Sequence, residues 1–415
     1  MKLPLGARVV PSAEVLSKRV ARLLLLGVGV TVARAVAACS DDTQVNPAAS
    51  IDGGADAVTA SDATSGPAAV IDPLLEPLRA SSGVPGIAAV VIRGGAVVAE
   101  GVSGVRKLGD PAAITAEDHW FLGESAQTMT ATLAALLVEQ GKLSWASTLG
   151  AVLPDYPIHA SYKDVTLRAL LAHRGGAPAK IPDAIDQAMR MPGDARARRE
   201  DAVRALLTLA PELAPGTEVR RSDAGYLIAA VMLERVTAAS WEQLVNERLF
   251  TPLGMTRCTF DARGASAGVV EPWGHVTMSD VLTPVAPGEA PEPPPAFGPA
   301  GRVRCPLRDW AKLATLHLAG ARGEPTPLLS SASFLELHTP VATTQALGWN
   351  AVSRPWAGEQ LALVAEAAGP LFVALVWVAP ARNVAFLVVA NESDSIALSA
   401  VDKVVGELIK GFVPR

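Results

Sequence analysis

Between residues 84 and 104 the chain reads VPGIAAVVIRGGAVVAEGVSG, two apolar runs on either side of Gly94-Gly95. Runs of this kind predict strands, and a glycine pair between them suits the positive φ angles of a tight hairpin turn. The pattern returns near the other end of the chain. LFVALVWVA, 371–379, and VAFLVVAN, 384–391, flank Pro380-Ala381-Arg382-Asn383 and predict a second hairpin. Between the hairpins the apolar spacing is mostly helical. Helices are predicted over 127–140, 165–173, 200–210, 223–237, 241–250, 306–319 and 331–338, with Gly141 placed to stop the first. The closing segment SIALSAVDKVVGELIKGF has the same spacing. PVAPGEAPEPPPAFGPAG, 284–301, is rich in proline and predicts a surface loop. Strands at both chain ends with helices between them predict an α/β (α+β) fold. It has one antiparallel sheet built from the two termini and flanked by helices, plus a mainly helical lobe. The sheet lobe should take 71–120 and 340–415 and the helical lobe 121–339, with a cleft between them as the default pocket.

The first 38 residues follow other rules. Lys2, Arg8, Lys18, Arg19 and Arg22 face only Glu14, and LLLLGVGVTVA, 23–33, is apolar but too short to span a bilayer. VAAC then ends at Cys39. The expectation is a signal peptide over 1–38 and a lipid-carrying Cys39, so that the protein is exported and held in the bacterial cell envelope with a membrane as its partner. Residues 40–69 hold five Asp, no Lys or Arg and no aromatic residue. Such a segment cannot bury enough apolar surface to fold, so 39–70 is read as a flexible acidic linker and 71–415 as the folded domain.

An apolar share of 50% against 19% charged residues suits a chain of 415 residues with a sizeable core. The net charge is −5 and the body has no Lys/Arg cluster, so nucleic acid is not an expected partner. His119, His159, His173, His275, His317 and His338 do not combine with Cys or acidic residues at metal-ligand spacing, and no cofactor is expected. Trp349, Trp356 and Trp377 fit core or cleft wall. Cys258 and Cys305 lie 47 residues apart. An oxidising compartment would let them pair, but two independent buried thiols are the expectation.

Several stretches resemble the serine β-lactamase and penicillin-binding protein superfamily, in particular its class C β-lactamase and esterase-like branch. The likeness runs from Val84 to Asn391. VPGIAAVVIRGGAVVAEGVSGVRKLG resembles the opening hairpin, TATLAALLVEQGKLSW the nucleophile helix, and VTLRALLAHRGGAP the segment T-x-x-x-L-L-x-H-x-S-G. The stretch PGTEVRRSDAGYLIAAVMLERVTAASWEQLVNERLFTPLGMTRCTF is similar to the one that carries Tyr-Ser-Asn and Pro-Leu-Gly-Met. PAGRVRCPLRDWAKLATLHL resembles the P-A-G segment. The resemblance implies a two-lobed scaffold, with His173 as a structural contact and His275 on a surface loop near the cleft.

The chemistry implied by the resemblance requires a Ser nucleophile with a Lys three residues on, one helical turn away. Alignment on Gly123 and Thr130-Ala131 puts Glu124 at the Ser position and Gln127 at the Lys position. Gln cannot act as a base, and a mixed anhydride on Glu would be labile. The Tyr-x-Asn motif falls on Arg221-Ser222-Asp223; Arg stays protonated and cannot relay a proton. The Lys/His-x-Gly motif of the inner strand falls in LVAEAAGPLF, with Ala365 at the position of the base.

Ser125 is no substitute, because one residue along a helix turns a side chain by about 100°. Glu124 with Asp223 could instead form an acid/base pair for another hydrolysis. A compensating ion pair between Glu124 and Arg221, with Asp223 as a further partner, is the simpler expectation. Glu124, Gln127, Arg221, Asp223 and Ala365 are thus read as vestigial motif positions. The function expected is that of a pseudoenzyme with a possible small-molecule or peptidoglycan-like ligand in its cleft. The alternative is an active serine hydrolase of esterase, β-lactamase or D-Ala peptidase type, with a nucleophile placed elsewhere.

Overall fold

Gly94 and Gly95 take φ angles of 59° and 79° and turn the chain between strands Gly86–Arg93 and Ala96–Gly104. At the other hairpin the turn is a 3-10 segment, Pro380–Arg382, closed by Asn383 at φ 51°. It joins Val373–Ala379 to Val384–Ala390, paired from Val373–Ala390 to Ala379–Val384. A computed structural model describes residues 67–261 and 268–414. The predicted signal peptide, Cys39 and most of the predicted linker lie outside the described residues.

The two hairpins meet in one seven-stranded sheet. Its spatial order is Ala69–Val70, Ala96–Gly104, Gly86–Arg93, Val384–Ala390, Val373–Ala379, Ala362–Ala368, Asn350–Val352. First and last segments of the domain therefore pair at its centre, Gly86–Arg93 against Val384–Ala390. All neighbours are antiparallel except Ala69–Val70, which runs parallel to Ala96–Gly104. The sheet is mixed to that extent, and its first strand lies before the expected boundary at 71.

Alternation along the central strands splits the core in two. Ala88, Val90, Ile92, Leu387 and Val389 face one cluster, which also takes in helix Leu307–Ala321 and the helical lobe. Ile87, Ala89, Val91, Phe386 and Val388 face the other, covered by helices Asp72–Ser82 and Ser395–Phe412. Helices Gln127–Glu139, Asp223–Thr237 and Ser331–His338 fall close to their predicted spans.

Two expectations fail. The proline-rich segment 284–301 is not simply a surface loop. Pro284 lies in strand Val281–Val285, and Gly298–Gly301 is a buried helical turn. Burial of this backbone is possible because distant side chains satisfy its carbonyls. Thr130 Oγ1 donates to Pro299 O at 2.8 Å, and Arg199 Nη1 donates to Ala296 O at 3.0 Å. Arg199, wholly buried, also holds Glu234 at 2.5 Å and Glu242 at 3.0 Å. Second, Cys258 and Cys305 are not independent thiols but a disulfide, with Cα atoms 4.2 Å apart. Thr259 and Arg304 exchange two backbone hydrogen bonds of 2.8 Å, and this small ladder sets the neighbouring cysteines side by side.

Candidate functional site

The site is built where a 3-10 turn, Gly123–Ala126, runs into helix Gln127–Glu139. Gly123 has φ 49°, and a Cβ there would lie 2.7 Å from the Cβ of Ala367. Only glycine lets the turn press against strand Ala362–Ala368. On the other side Gly301 packs on the backbone of Gly123 and Glu124, where a Cβ would lie 3.2 Å from Gly123 C. Turn, strand and buried Gly298–Gly301 segment thus fix the backbone of Glu124 from two sides.

Gln127, 5% exposed, is tied down by its amide. Its Nε2 donates to Asp223 Oδ1 at 3.0 Å and to Ala300 O at 3.3 Å. Asp223 opens helix Asp223–Thr237, and Ser222 caps that helix by accepting from Gly225 N. Burial and then the Glu124 carboxylate push the Asp223 carboxyl up to about 7, against Arg221 and the Gln127 amide, which favour its charged form. Glu124, Gln127, Arg221 and Asp223 do gather at one place.

The expected ion pair is absent. Among the described residues Arg221 has no carboxylate oxygen within 4.0 Å. Arg221 is exposed, and its Nη2 donates to the backbone oxygen of Glu366 at 3.3 Å. Glu124 Oε2 is enclosed with no hydrogen-bond partner. The guanidinium is engaged by a backbone carbonyl of strand Ala362–Ala368 and not by the carboxylate. Glu366 was not singled out from sequence; no motif marks it. Burial, followed by Asp402, raises its carboxyl, and the Glu124 charge adds to the rise.

Ala365 is buried on strand Ala362–Ala368 opposite Val376 and brings no titratable group. Ser125 is fully buried, and its hydroxyl faces Ala374 O at 3.3 Å and Ala365 O at 3.5 Å. It points into the sheet. His173 accepts from Ser222 N through Nδ1 at 3.2 Å and lies against Tyr226, ring centroids 5.1 Å apart. Burial and the Arg221 charge lower it to about 3, so it is a neutral structural residue. His275 is not on a surface loop. It is fully buried on strand Gly274–Met278, where Nε2 accepts from Leu108 N at 3.0 Å and Nδ1 meets Asn391 O at 2.7 Å.

Among the described residues no group of three His, Cys, Asp or Glu side chains is arranged to hold a metal, and no helix is long and apolar enough to cross a membrane. Two cavities lie elsewhere. One of about 580 Å³ is walled by Gly95, Leu253, Lys312 and Pro325; another of about 170 Å³ by Val90, Gly101, Trp120 and Leu307.

A sheet made from both chain ends, with a glycine-led turn and helix facing its inner strand, agrees with a family model described as Beta-lactamase, which matches residues 71–408. The chain belongs to the beta-lactamase family. Over 263 residues it is 29% identical to penicillin-binding protein 4 of Amycolatopsis lactamdurans, covering 60% of this chain and 65% of that one. It is 24% identical over 260 residues to an unguisins hydrolase of Aspergillus campestris, covering 57% and 46%. The matches span less than two thirds of these relatives' own length. Among solved structures, a β-lactamase from Sulfitobacter is similar with TM-score 0.65 and 20% identity, covering 82% of this chain and 97% of that one. A class C β-lactamase from Rhodobacter sphaeroides gives TM-score 0.62 and 21% identity, covering 80% and 97%. At these identities the structural likeness speaks for the fold. Within that family fold, Glu124 and Gln127 stand at the head of the helix and Arg221 and Asp223 face them.

Proposed function

We propose that this chain is a beta-lactamase-family protein without the family's acyl transfer, and that it acts by holding a ligand in its cleft. The observation that carries this reading is the state of Gln127. Its amide is spent on Asp223 and Ala300, so the group one turn beyond Glu124 can neither take nor give a proton. The neighbouring Ser125 supports it: its hydroxyl is buried and turned to backbone carbonyls. Export, and attachment to a membrane through lipid on Cys39, belong to the same proposal and rest on the N-terminal sequence pattern.

Covalent labelling tests the reading. The folded protein is incubated with a fluorescent penicillin and, separately, with a fluorophosphonate, and its intact mass is read. No adduct is expected with either probe. An adduct mapped to one Ser would mean that an acyl-transfer nucleophile survives, and the chain would be a working serine hydrolase. Palmitate incorporation that disappears in Cys39→Ala is the expected result for the anchor.

A further inference from the structure

A groove of about 580 Å³ runs along helix Leu307–Ala321, and none of the vestigial motif positions lines it. Its floor is one face of that helix. Arg308, Ala311, Lys312, Thr315 and Ala319 recur every three or four residues, the spacing of neighbours on a helix surface. Ala311, Thr315 and Ala319 are small, which leaves the groove its depth. The hairpin turn bounds one side, where even a Cβ on Gly95 would stay 3.8 Å from Thr315 Cγ2. Val97, Leu253, Pro325 and Pro327 supply apolar walls. The volume lies within the range of small-molecule sites.

The charge on this lining has one sign. Among the described residues Arg308 and Lys312 line the groove and no carboxylate does. The two stand four residues apart on the helix, where like charges repel. Each has its carboxylate partner outside the groove, Glu100 for Arg308 and Asp309 for Lys312. Arg308 commits Nε, at 2.6 Å, and Nη2 to Glu100. Among the described residues no acceptor meets its Nη1. Lys312 Nζ donates to Asp309 Oδ1 at 2.7 Å and to Gly254 O, which uses two of its three N–H groups. The two side chains stay 56% and 42% exposed, so an arriving anion can reach the donors that remain. Exposed pairs of this kind also hold their partners weakly.

We propose that this groove binds a single-chain anionic amphiphile, an aliphatic carboxylate whose head accepts from Arg308 Nη1 and Lys312 Nζ and whose tail lies along the helix toward Ala319. The helix rises about 16 Å from Arg308 to Ala319, the reach of an extended chain. Charge-assisted hydrogen bonds at one end and apolar burial along the rest are the two halves of such recognition. The occupant is the free molecule, because a flat bilayer surface cannot enter a concave groove. The site is separate from Glu124 and Gln127 and does not depend on whether the cleft binds or cleaves.

The probe is decanoate, kept below its micelle-forming concentration and titrated calorimetrically into the full-length protein in detergent-free buffer. Saturable binding is expected, weakening about fourfold for each methylene removed down to hexanoate. Decyltrimethylammonium, with the same tail and the opposite charge, should bind at least about tenfold more weakly. Arg308→Gln should weaken decanoate binding by about tenfold, and as an exposed position it leaves the fold intact. Ala319→Phe fills the floor and should weaken binding by about tenfold or more while leaving the preference for the carboxylate head in place. No saturable decanoate binding, equal affinity for the two head groups, or wild-type affinity in both variants would overturn the proposal. So would sedimentation with phosphatidylglycerol vesicles that Arg308→Gln abolishes while decanoate does not bind, because this face would then meet a membrane surface.

Discussion

Asp223 shows how one replaced residue changes the behaviour of its site. Burial, and then the negative charge of Glu124, hold its carboxyl at about 7. An unfolded Asp titrates near 3.9, roughly three units lower. Between those values the folded chain keeps a proton that the unfolded chain has released. Stability therefore falls as pH rises through that window, and the full loss is present above it. Asp223→Asn removes the titration while its side-chain oxygen can still accept from Gln127 Nε2. The variant should exceed wild type by about 2 kcal/mol at pH 8 and match it within about 0.5 kcal/mol near pH 4. Urea midpoints at the two pH values decide this. An equal difference at both would mean that Asp223 does not titrate in this range. At this scale the sequence was informative about identity and silent about partners. Glu124, Gln127, Arg221 and Asp223 could each be placed by their distance from a recognisable neighbour. That Arg221 would bond to a carbonyl 145 residues further along and not to Glu124 could not, because the acceptor is backbone and carries no residue type to read.

At the scale of elements, periodicity was a good guide wherever the element is long and buried on a defined side. Both hairpins and the long helices of the helical lobe lie where apolar spacing puts them. Helix Asp72–Ser82 escaped because Pro73 and Pro77 read as breakers; Pro73 is in fact in the first turn, where no backbone donor is needed. The turn Gly298–Gly301 escaped because composition says nothing of Thr130, Gln127 and Arg199, whose donors make a proline-rich backbone buriable. The Cys258–Cys305 pairing depends on the same kind of long-range fact, the ladder between Thr259 and Arg304. It has a measurable consequence. A cross-link closing a loop of 47 residues removes unfolded-state entropy worth about 4 kcal/mol. Reduction, or Cys258→Ser with Cys305→Ser, should lower stability by roughly that amount, within about 2–5 kcal/mol. Thermal or urea unfolding with and without reductant tests it. An unchanged midpoint, together with two reactive thiols in the untreated native protein, would mean that the bond does not form.

For the whole molecule, the buried carboxyls act in one direction and the paired surface ones in the other. Hydrogen bonds from Arg79 and Ser103 hold Glu76 at about 2, and hydrogen bonds from Ser330 and Ser333 lower Glu139 against its burial. A lowered carboxyl contributes stability above its unfolded value, near 4.3, and loses it as pH falls toward the folded value. Burial pushes Glu392 up to about 8, with Asp394 adding to the rise, and burial also raises Asp223, Glu366 and Asp402. These groups favour the protonated folded state, and their contribution fades as pH climbs from about 4 to about 8. The first set favours leaving strongly acidic solution and the second favours staying out of alkaline solution. Their crossing puts the stability maximum at about pH 4, near the unfolded carboxyl values where both windows begin. Urea midpoints from pH 3 to 9 should peak there and decline by about 2–4 kcal/mol toward pH 8. A maximum at pH 7 or above would mean that the buried carboxyls are paired more tightly than their surroundings imply. The steepest part of the decline should lie between about pH 5 and about pH 6.5, where folded Asp223 and Glu392 keep protons that the unfolded chain has released. Combining Asp223→Asn with Glu392→Gln should flatten that part of the curve and leave the acid limb, set by Glu76 and Glu139, in place.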